Sequence, residues 1–403
     1  MMRKIINPTY LIIDFSAGNI VTHHLNYVVT YATFLKDNGC NVKLLLPKYT
    51  PFDKSLSNFD VARVLYSNEY RLNFSRFSMR RLYQYLIRSQ NRLAKFLEFV
   101  LGRIITEIYL ILAIKALRRI LHKEKSEYTI VFPSTDLMAI RFISRIIKKK
   151  IEVKALFIRI NAVDKNLVSE NLRIDGLKLL DKLLIKSKII EIGCETKSLV
   201  NVIQQRGAFY DNVYWVPLPS IKRIERHDYG NIVGFLGGAK KRKGFTEIPN
   251  WIAKIRKIEL STLFLVQASP FPWVEYEKTI SALNKMDNVE LISPIIDNED
   301  LFKQISRCSY IITPYDKESY KMVGSSIFYY ASDFLIPTIS YDGLGFSNDI
   351  FEFKCGIIVK NMRNAFGADI FNQQTKKEFA QKLIIYNKFR NDQNLLFLKL
   401  NLV

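Results

Sequence analysis

NIVGFLGGAKKRKGF, residues 231–245, passes from an apolar run into two glycines, four consecutive basic side chains and a third glycine. Asn231 to Leu236 reads as a buried strand, and a helix opens after Lys243-Gly244. Glycines between a strand and a helix let the backbone approach a ligand closely. Lysines supply compact positive charge there. The positive end of the following helix favours an anion at the same place. The stretch therefore suits a phosphate group. A solvated basic turn is the other reading of the same residues, because a short glycine–lysine run is a weak signal alone.

Outward from this loop the same alternation repeats. Downstream, Thr262–Gln267, Val289–Leu291, Tyr310–Thr313, Thr338–Ser340 and Gly356–Val359 read as strands. Helices are expected around Glu275–Lys285, Asn298–Ser306, Ser325–Ser332 and Lys376–Leu400. Upstream, Tyr10–Asp14, Asn41–Pro47, Tyr128–Phe132, Lys154–Ile158, Lys188–Gly193 and Asn212–Val216 read as strands. His23–Asn38 and Leu137–Lys148 read as helices between them. Strand–helix–strand units imply parallel sheets, with ligands beyond the carboxyl ends of the strands. The polar run Ile221–Gly230 reads as a linker. The expected organisation is an α/β chain with a first Rossmann-like domain over 1–220, a second over 221–375 and a helical tail over 376–403 that crosses back to the first domain.

A second loop, PYDKESYKMVGSS at 314–326, also links a strand to a helix. Gly324, Ser325 and Ser326 place small residues and free N–H groups at that helix start, which suits a pyrophosphate. Ser325 also reads as an ordinary N-cap, and the two roles are compatible. A third stretch, Tyr70–Lys125, is helical in pattern and strongly basic, an insertion (about 70–125) in the first domain. Leu82, Leu86, Leu93, Phe96, Leu97 and Val100 are its expected apolar face. That face suits either an anionic membrane surface or the sheet of its own domain.

Composition bounds the remaining classes. The chain has 403 residues, 48% of them hydrophobic, which fits two domains near 200 residues each. Its formal charge of +22 favours polyanionic or phosphorylated partners, or reflects a drift toward lysine. It has no RNP-type aromatic strand, zinc finger or basic zipper helix, so nucleic acid is not an expected partner. Cys40, Cys194, Cys308 and Cys355 are scattered and form no CxxC pair, as expected for buried thiols in a reducing compartment. Neither a signal peptide nor a spanning segment is expected: Asp14 interrupts the first apolar stretch, and charges break the region Phe96–Leu117. The expected location is cytoplasmic, peripheral to the inner face of the plasma membrane.

Across residues 231–360 the second half resembles the donor domain of the group 1, family 4-like glycosyltransferases of the GT-B superfold. LGGAKKRKGF, IIDNEDLFKQI, YIITPY, IPTISYDGLG and CGIIV follow that family's order. The first half is similar more loosely, through GNIVTHHLNY, CETKSLV and VPLPS. The resemblance implies two Rossmann-like domains with parallel sheets facing a central cleft, and sugar transfer from a nucleotide-sugar to a glycan or lipid-linked acceptor in cell-surface polysaccharide synthesis. It implies that Lys243 contacts the donor phosphates and that Gly324, Ser325 and Ser326 meet the pyrophosphate. Gly238 stands where the family often has arginine. Tyr330 stands where it holds the donor ribose with a glutamate, and Glu318 lies near the place of the other glutamate. Tyr330 reads equally as a core aromatic beside Ile327 and Phe328. The family's glycine before the proline strand falls on Leu335 or Ile336. On the acceptor side the corresponding loop is Gly18, with His24 and Arg159 as candidates for the cleft histidine.

The mechanism implied uses no metal and no cofactor besides the donor itself. Charge grows on the leaving diphosphate, so positive charge from Lys243, helped by Lys240, Lys241 or Arg242, acts in the transition state. No catalytic residue is assigned. A GT-B-like binding protein without catalysis is the alternative, followed by a polyanion binder; a GT-B epimerase would need a richer set of carboxylates and histidines.

Overall fold

The computed structural model describes residues 8–17, 24–50, 54–65, 92–124, 128–161, 168–169, 174–207, 210, 213–221, 230–269, 273–292, 298–360 and 367–400. They form two compact units. The first holds Met1–Cys194 and Val202–Tyr214, the second Glu195–Asn201 and Trp215–Val403. The expected linker falls almost entirely outside the described residues, and Gly18 and the segment from Tyr70 to Asn91 fall outside them wholly.

The first unit begins with β1 (Thr9–Ile13), α1 (His24–Asp37), β2 (Asn41–Pro47) and β3 (Asp60–Leu65). Helix α1 stops at Gly39, whose positive φ of 74° lets its amide reach Lys36 O and that of Cys40 reach Leu35 O. The long α2 (Arg92–Glu124) then leads to β4 (Tyr128–Phe132), α3 (Leu137–Lys148) and β5 (Ala155–Ile160). A two-stranded antiparallel pair, β6 (Val168–Ser169) and β7 (Ile174–Asp175), precedes α4 (Gly176–Lys186) and β8 (Ile190–Cys194); α5 (Lys197–Gln204), whose part up to Asn201 belongs to the second unit, and β9 (Tyr214–Trp215) follow. The main sheet runs β3-β2-β1-β4-β5-β8-β9. β1 pairs in parallel with both β2 and β4. Helices cover such a sheet, which is why β4 is buried at every position.

One face of α2 is packed: Ile105, Tyr109, Leu110, Ala113, Ile114 and Leu117 are buried. The helix lies against α3 and β3. Of the apolar face expected in this region, Leu82 and Leu86 lie outside the described residues, and nothing is described of the side chains of Leu93, Phe96 and Leu97; Val100 is half-buried.

The second unit repeats the alternation: β10 (Ile232–Phe235), α6 (Ile248–Arg256), β11 (Leu263–Gln267), α7 (Trp273–Asn284), β12 (Val289–Ile292), α8 (Asn298–Ser306) and β13 (Tyr310–Thr313). The short α9 (Lys317–Tyr320), α10 (Ser326–Asp333), β14 (Thr338–Tyr341), α11 (Ser347–Phe353), β15 (Gly356–Val359) and α12 (Gln373–Phe397) complete it. Its sheet runs β12-β11-β10-β13-β14-β15, and every pairing is parallel. Phe235, Phe245, Trp251, Phe264 and Tyr310 share one apolar cluster with α6 and α7. Leu335 takes the left-handed conformation, φ 58°, where the resemblance places a glycine.

Helix α12 belongs to this second unit. Its Arg390 is fully buried and donates to Leu218 O, Pro219 O, Tyr329 O and Ser332 Oγ, with Asp333 as ion-pair partner at 3.0 Å. Asn394 donates to Pro217 O. These bonds tie the Pro217–Ser220 segment to α10 and α12. All four cysteines are free and buried. Among the described residues no helix is long and apolar enough to cross a membrane.

Candidate functional site

In the second unit the strand order reverses between β10 and β13, its topological switch point. The loops leaving the carboxyl ends of these two strands are the two glycine-bearing loops of the sequence. Lys241–Lys243 forms a single 3-10 turn, with the Lys243 amide bonded to Lys240 O. This turn folds Lys243 back so that its ammonium donates to Gly237 O and lies 5.7 Å from the centre of the Tyr315 ring. Gly244 ends the turn at φ 71°, and a Cβ there would meet Pro314 O at 1.9 Å. Glycine is thus required where the two loops touch. The Asp316 amide closes the contact by donating to Arg242 O at 2.9 Å.

The electrostatics of this turn are unbalanced. Burial pushes the Lys243 ammonium down to about 7, and the charges of Lys240 and Arg242 add to the effect. Lys240 is lowered as well, by burial and then by Arg242. Among the described residues no carboxylate forms a salt bridge with Lys240, Arg242 or Lys243. Three cations held together without a counter-charge gain most from a bound anion.

Tyr315 joins the two loops. Its ring lies beneath Lys243, while burial pushes its hydroxyl's pKa well up. Ser325 caps α10, its Oγ accepting from the Phe328 amide at 3.3 Å. Gly324 lies so close to Glu195 that a Cβ would meet the Glu195 side chain at 2.5 Å. Thr196 Oγ1 donates to Met322 O at 2.7 Å, and the Tyr329 hydroxyl donates to Glu195 O. Glu195 and Thr196 thus brace the loop that carries Met322 and Gly324. In the sequence they stand only within CETKSLV, and their distance along the chain from Met322 hides the pairing.

Lys243 lies in the first of these loops and Gly324 and Ser325 in the second, with Ser326 as the first residue of α10. Gly238 adopts φ 76° in the first loop. Glu318 is exposed on α9. Tyr330 is 1% exposed, its ring packed edge-on against Phe302 of α8 at 5.3 Å, the core arrangement of the two readings.

The first unit has its own switch point, between β1 and β4. Asp14 follows β1 and accepts from the Ser16 amide at 2.7 Å. Asp136 caps α3, accepting from the Ala139 amide and from Ser16 Oγ. His24, the first residue of α1, has its Nδ1 3.7 Å from Asp14 Oδ2. Burial raises the Asp136 pKa; the Ala139 amide opposes this and the charge of Asp14 adds to it. Arg159 is fully buried and not part of an open loop. It donates to Pro133 O and Asn161 Oδ1, with its guanidinium over Tyr27 and Tyr31. It braces the turn that carries Asp136. Asp14 and Asp136 come together at this switch point though the sequence did not single them out; an acid directly after a buried strand was the available signal. Among the described residues no group of three or more His, Cys, Asp or Glu comes together as a metal site.

No family profile matches the sequence, and comparison with curated proteins finds no match. Solved structures do match over nearly the whole chain. A sucrose-phosphate synthase from Thermosynechococcus elongatus is 14% identical with a TM-score of 0.61, covering 98% of this chain and 97% of its own. The catalytic domain of starch synthase IV from Arabidopsis thaliana, bound to ADP and acarbose, is 11% identical with a TM-score of 0.63, covering 98% and 99%. A Listeria monocytogenes protein described as a UDP-N-acetylglucosamine 2-epimerase is 13% identical with a TM-score of 0.57, covering 98% and 96%. At such identities the likeness is one of fold, and the fold is GT-B: two Rossmann-like units, each with a parallel sheet and interleaved helices.

Proposed function

We propose that the chain is a family 4-like glycosyltransferase. It takes a sugar from a nucleoside-diphosphate sugar held by the second unit and passes it to a glycan or lipid-linked acceptor. Cell-surface polysaccharide synthesis at the inner face of the plasma membrane is the setting. The observation that carries this reading is the Lys240–Arg242–Lys243 cluster at the β10/β13 switch point, facing no carboxylate among the described residues. The starch synthase of the same fold binds ADP, which supports a nucleotide in this role.

When the glycosidic bond breaks, its electron pair stays on the diphosphate oxygen. A bound diphosphate offsets the burial and like-charge repulsion that lower the Lys243 pKa, so the lysine is charged when the donor is present. Its ammonium then stabilises the charge developing on the leaving group. The amide end of α10 behind Ser325 adds a second positive pole. These groups serve in place of a divalent ion, so the proposed reaction is metal-independent. In the first unit, His24 beside Asp14 is the candidate general base or acceptor contact.

A thermal-shift panel of UDP-, GDP-, ADP- and CMP-sugars tests the donor. One of them should stabilise the protein, by about 2.7 kcal/mol at a hundredfold excess over Kd. Lys243→Ala should lower turnover by about 10²-fold or more. Wild-type turnover in that variant would remove Lys243 from the mechanism. The epimerase of the same fold sets a control: sugar conversion without acceptor would mark an epimerase, and transfer that needs an acceptor marks a transferase.

A further inference from the structure

The outward face of α2 has a pattern that its packing does not explain. Ile104, Ile108, Ile111 and Leu112 are 51%, 46%, 45% and 37% exposed, respectively. They follow the i, i+4, i+7, i+8 spacing of one helix face. The next turns of the same face carry Lys115, Arg118, Arg119 and His122, all exposed. Between Arg103 and Lys123 the one acidic residue is Glu107, and Arg141 and Arg145 of α3 hold it. An aliphatic half and a cationic half therefore succeed each other along one ridge, with no free carboxylate among the described residues of that stretch.

We propose that this ridge docks the protein on an anionic lipid surface. The isoleucines enter the boundary between head groups and acyl chains, and the arginines and lysines meet the lipid phosphates. Four branched aliphatic side chains offer an acyl layer what it accepts, dispersion contact without hydrogen bonding. Nucleic acid would find nothing to bind along the first two turns of the ridge. A second copy of the chain is disfavoured by charge, because each carries +22. At 1.5 Å per residue the ridge from Ile104 to Lys123 is about 28 Å long, enough to meet several head groups at once. The inference does not rest on the sugar-transfer reading, since it uses only the exposure and charge of α2.

Vesicle flotation of the full chain tests it. Wild type should float with vesicles of phosphatidylcholine containing about a third phosphatidylglycerol, and not with phosphatidylcholine alone. Binding should weaken as salt rises, because exposed charges are screened. Ile108→Ser with Ile111→Ser should reduce partitioning by about tenfold or more on the scale of lost apolar burial. Arg118→Ala with Arg119→Ala should reduce it by about fivefold per cation. Both pairs are exposed, so an unchanged melting temperature verifies folding. Wild type that stays unbound at low salt overturns the proposal. Equal flotation of the isoleucine variant and wild type also overturns it, since charge alone would then suffice. So does an oligomer that the isoleucine variant dissolves, because the ridge would then belong to a second copy.

Discussion

At the scale of one residue, Lys243 sets function against stability. Its folded pKa of about 7 lies below the ordinary 10.5, for reasons of burial first and neighbouring cations second. Between these values the unfolded chain binds more protons than the native one, so the native state gains stability as pH rises through that window. The penalty is fully present below pH 7. Lys243→Met keeps the stem and removes the charge. It should raise the melting temperature by a few degrees at pH 6, with the gain fading toward pH 10; about 1 kcal/mol corresponds to 2–4 °C in a domain this size. Calorimetry at three pH values checks it. Diphosphate binding must recharge the lysine above pH 7, so donor affinity should fall by up to about tenfold per pH unit there. A flat affinity between pH 7 and 9 would count against the contact. Gly244 makes the opposite kind of demand. Gly244→Ala puts a Cβ against Pro314 O in left-handed backbone, and should cost at least about 2 kcal/mol, read as a lower urea midpoint with unchanged slope.

At the scale of the element, Arg390 is the fully buried cation of α12. Arg390→Ala leaves Asp333 charged and buried, with an expected loss of about 3–5 kcal/mol. Adding Asp333→Ala should recover part of it, and a double-mutant cycle by urea unfolding measures how much. The same helix holds Asp349 through the Tyr386 hydroxyl, and burial raises that carboxyl to about 7. Its folded pKa exceeds the ordinary 3.8, so the native state binds the extra proton and stability falls as pH rises from about 4 to 7. Asp349→Asn should therefore gain on wild type as pH rises through that window, as melting curves at pH 5 and 8 would show. Elements differ in how far their sequence announces them. Asn41–Pro47, Tyr128–Phe132 and Tyr310–Thr313 match expectation because buried parallel strands read as continuous apolar runs. β3 at Asp60–Leu65 was not expected: it is the edge strand, mixed in polarity and largely half-exposed. No element was expected over α4, although Asp175 caps it and Leu177, Leu180 and Leu183 recur at threefold spacing. The two glycine-bearing loops at the switch point were legible as strand-to-helix connections because each is a contiguous stretch of chain with glycines beside lysines or serines. The Asp14–Ser16–Asp136 group was not, because only the adjacency of β1 and β4 joins residues so far apart in the chain.

At the scale of the whole molecule, the path of the chain matters for the donor site. The backbone passes between the two units three times, at 194/195, 201/202 and 214/215. The short piece Glu195–Asn201 comes from the first half of the sequence yet is built into the second unit, where it braces the Gly324 loop. A cut after Tyr214 leaves Trp215–Val403 of the second unit in one piece but removes that brace. A fragment of residues 215–403 should therefore bind nucleoside diphosphate more weakly than the full chain. Such a fragment can also fail simply by unfolding, so a point change in the intact protein separates the causes. Thr196→Val keeps the shape and removes the hydroxyl that donates to Met322 O and accepts from the Leu199 amide. A lost hydrogen bond that leaves a buried partner unpaired costs about 1–3 kcal/mol. If that cost falls on the loop, the Kd for the diphosphate should rise by about fivefold or more, while Lys243 still shows its pH dependence. If titration calorimetry finds an unchanged Kd in a folded Thr196→Val protein, the loop holds its shape without the brace, and the second unit can be treated as one contiguous stretch of chain.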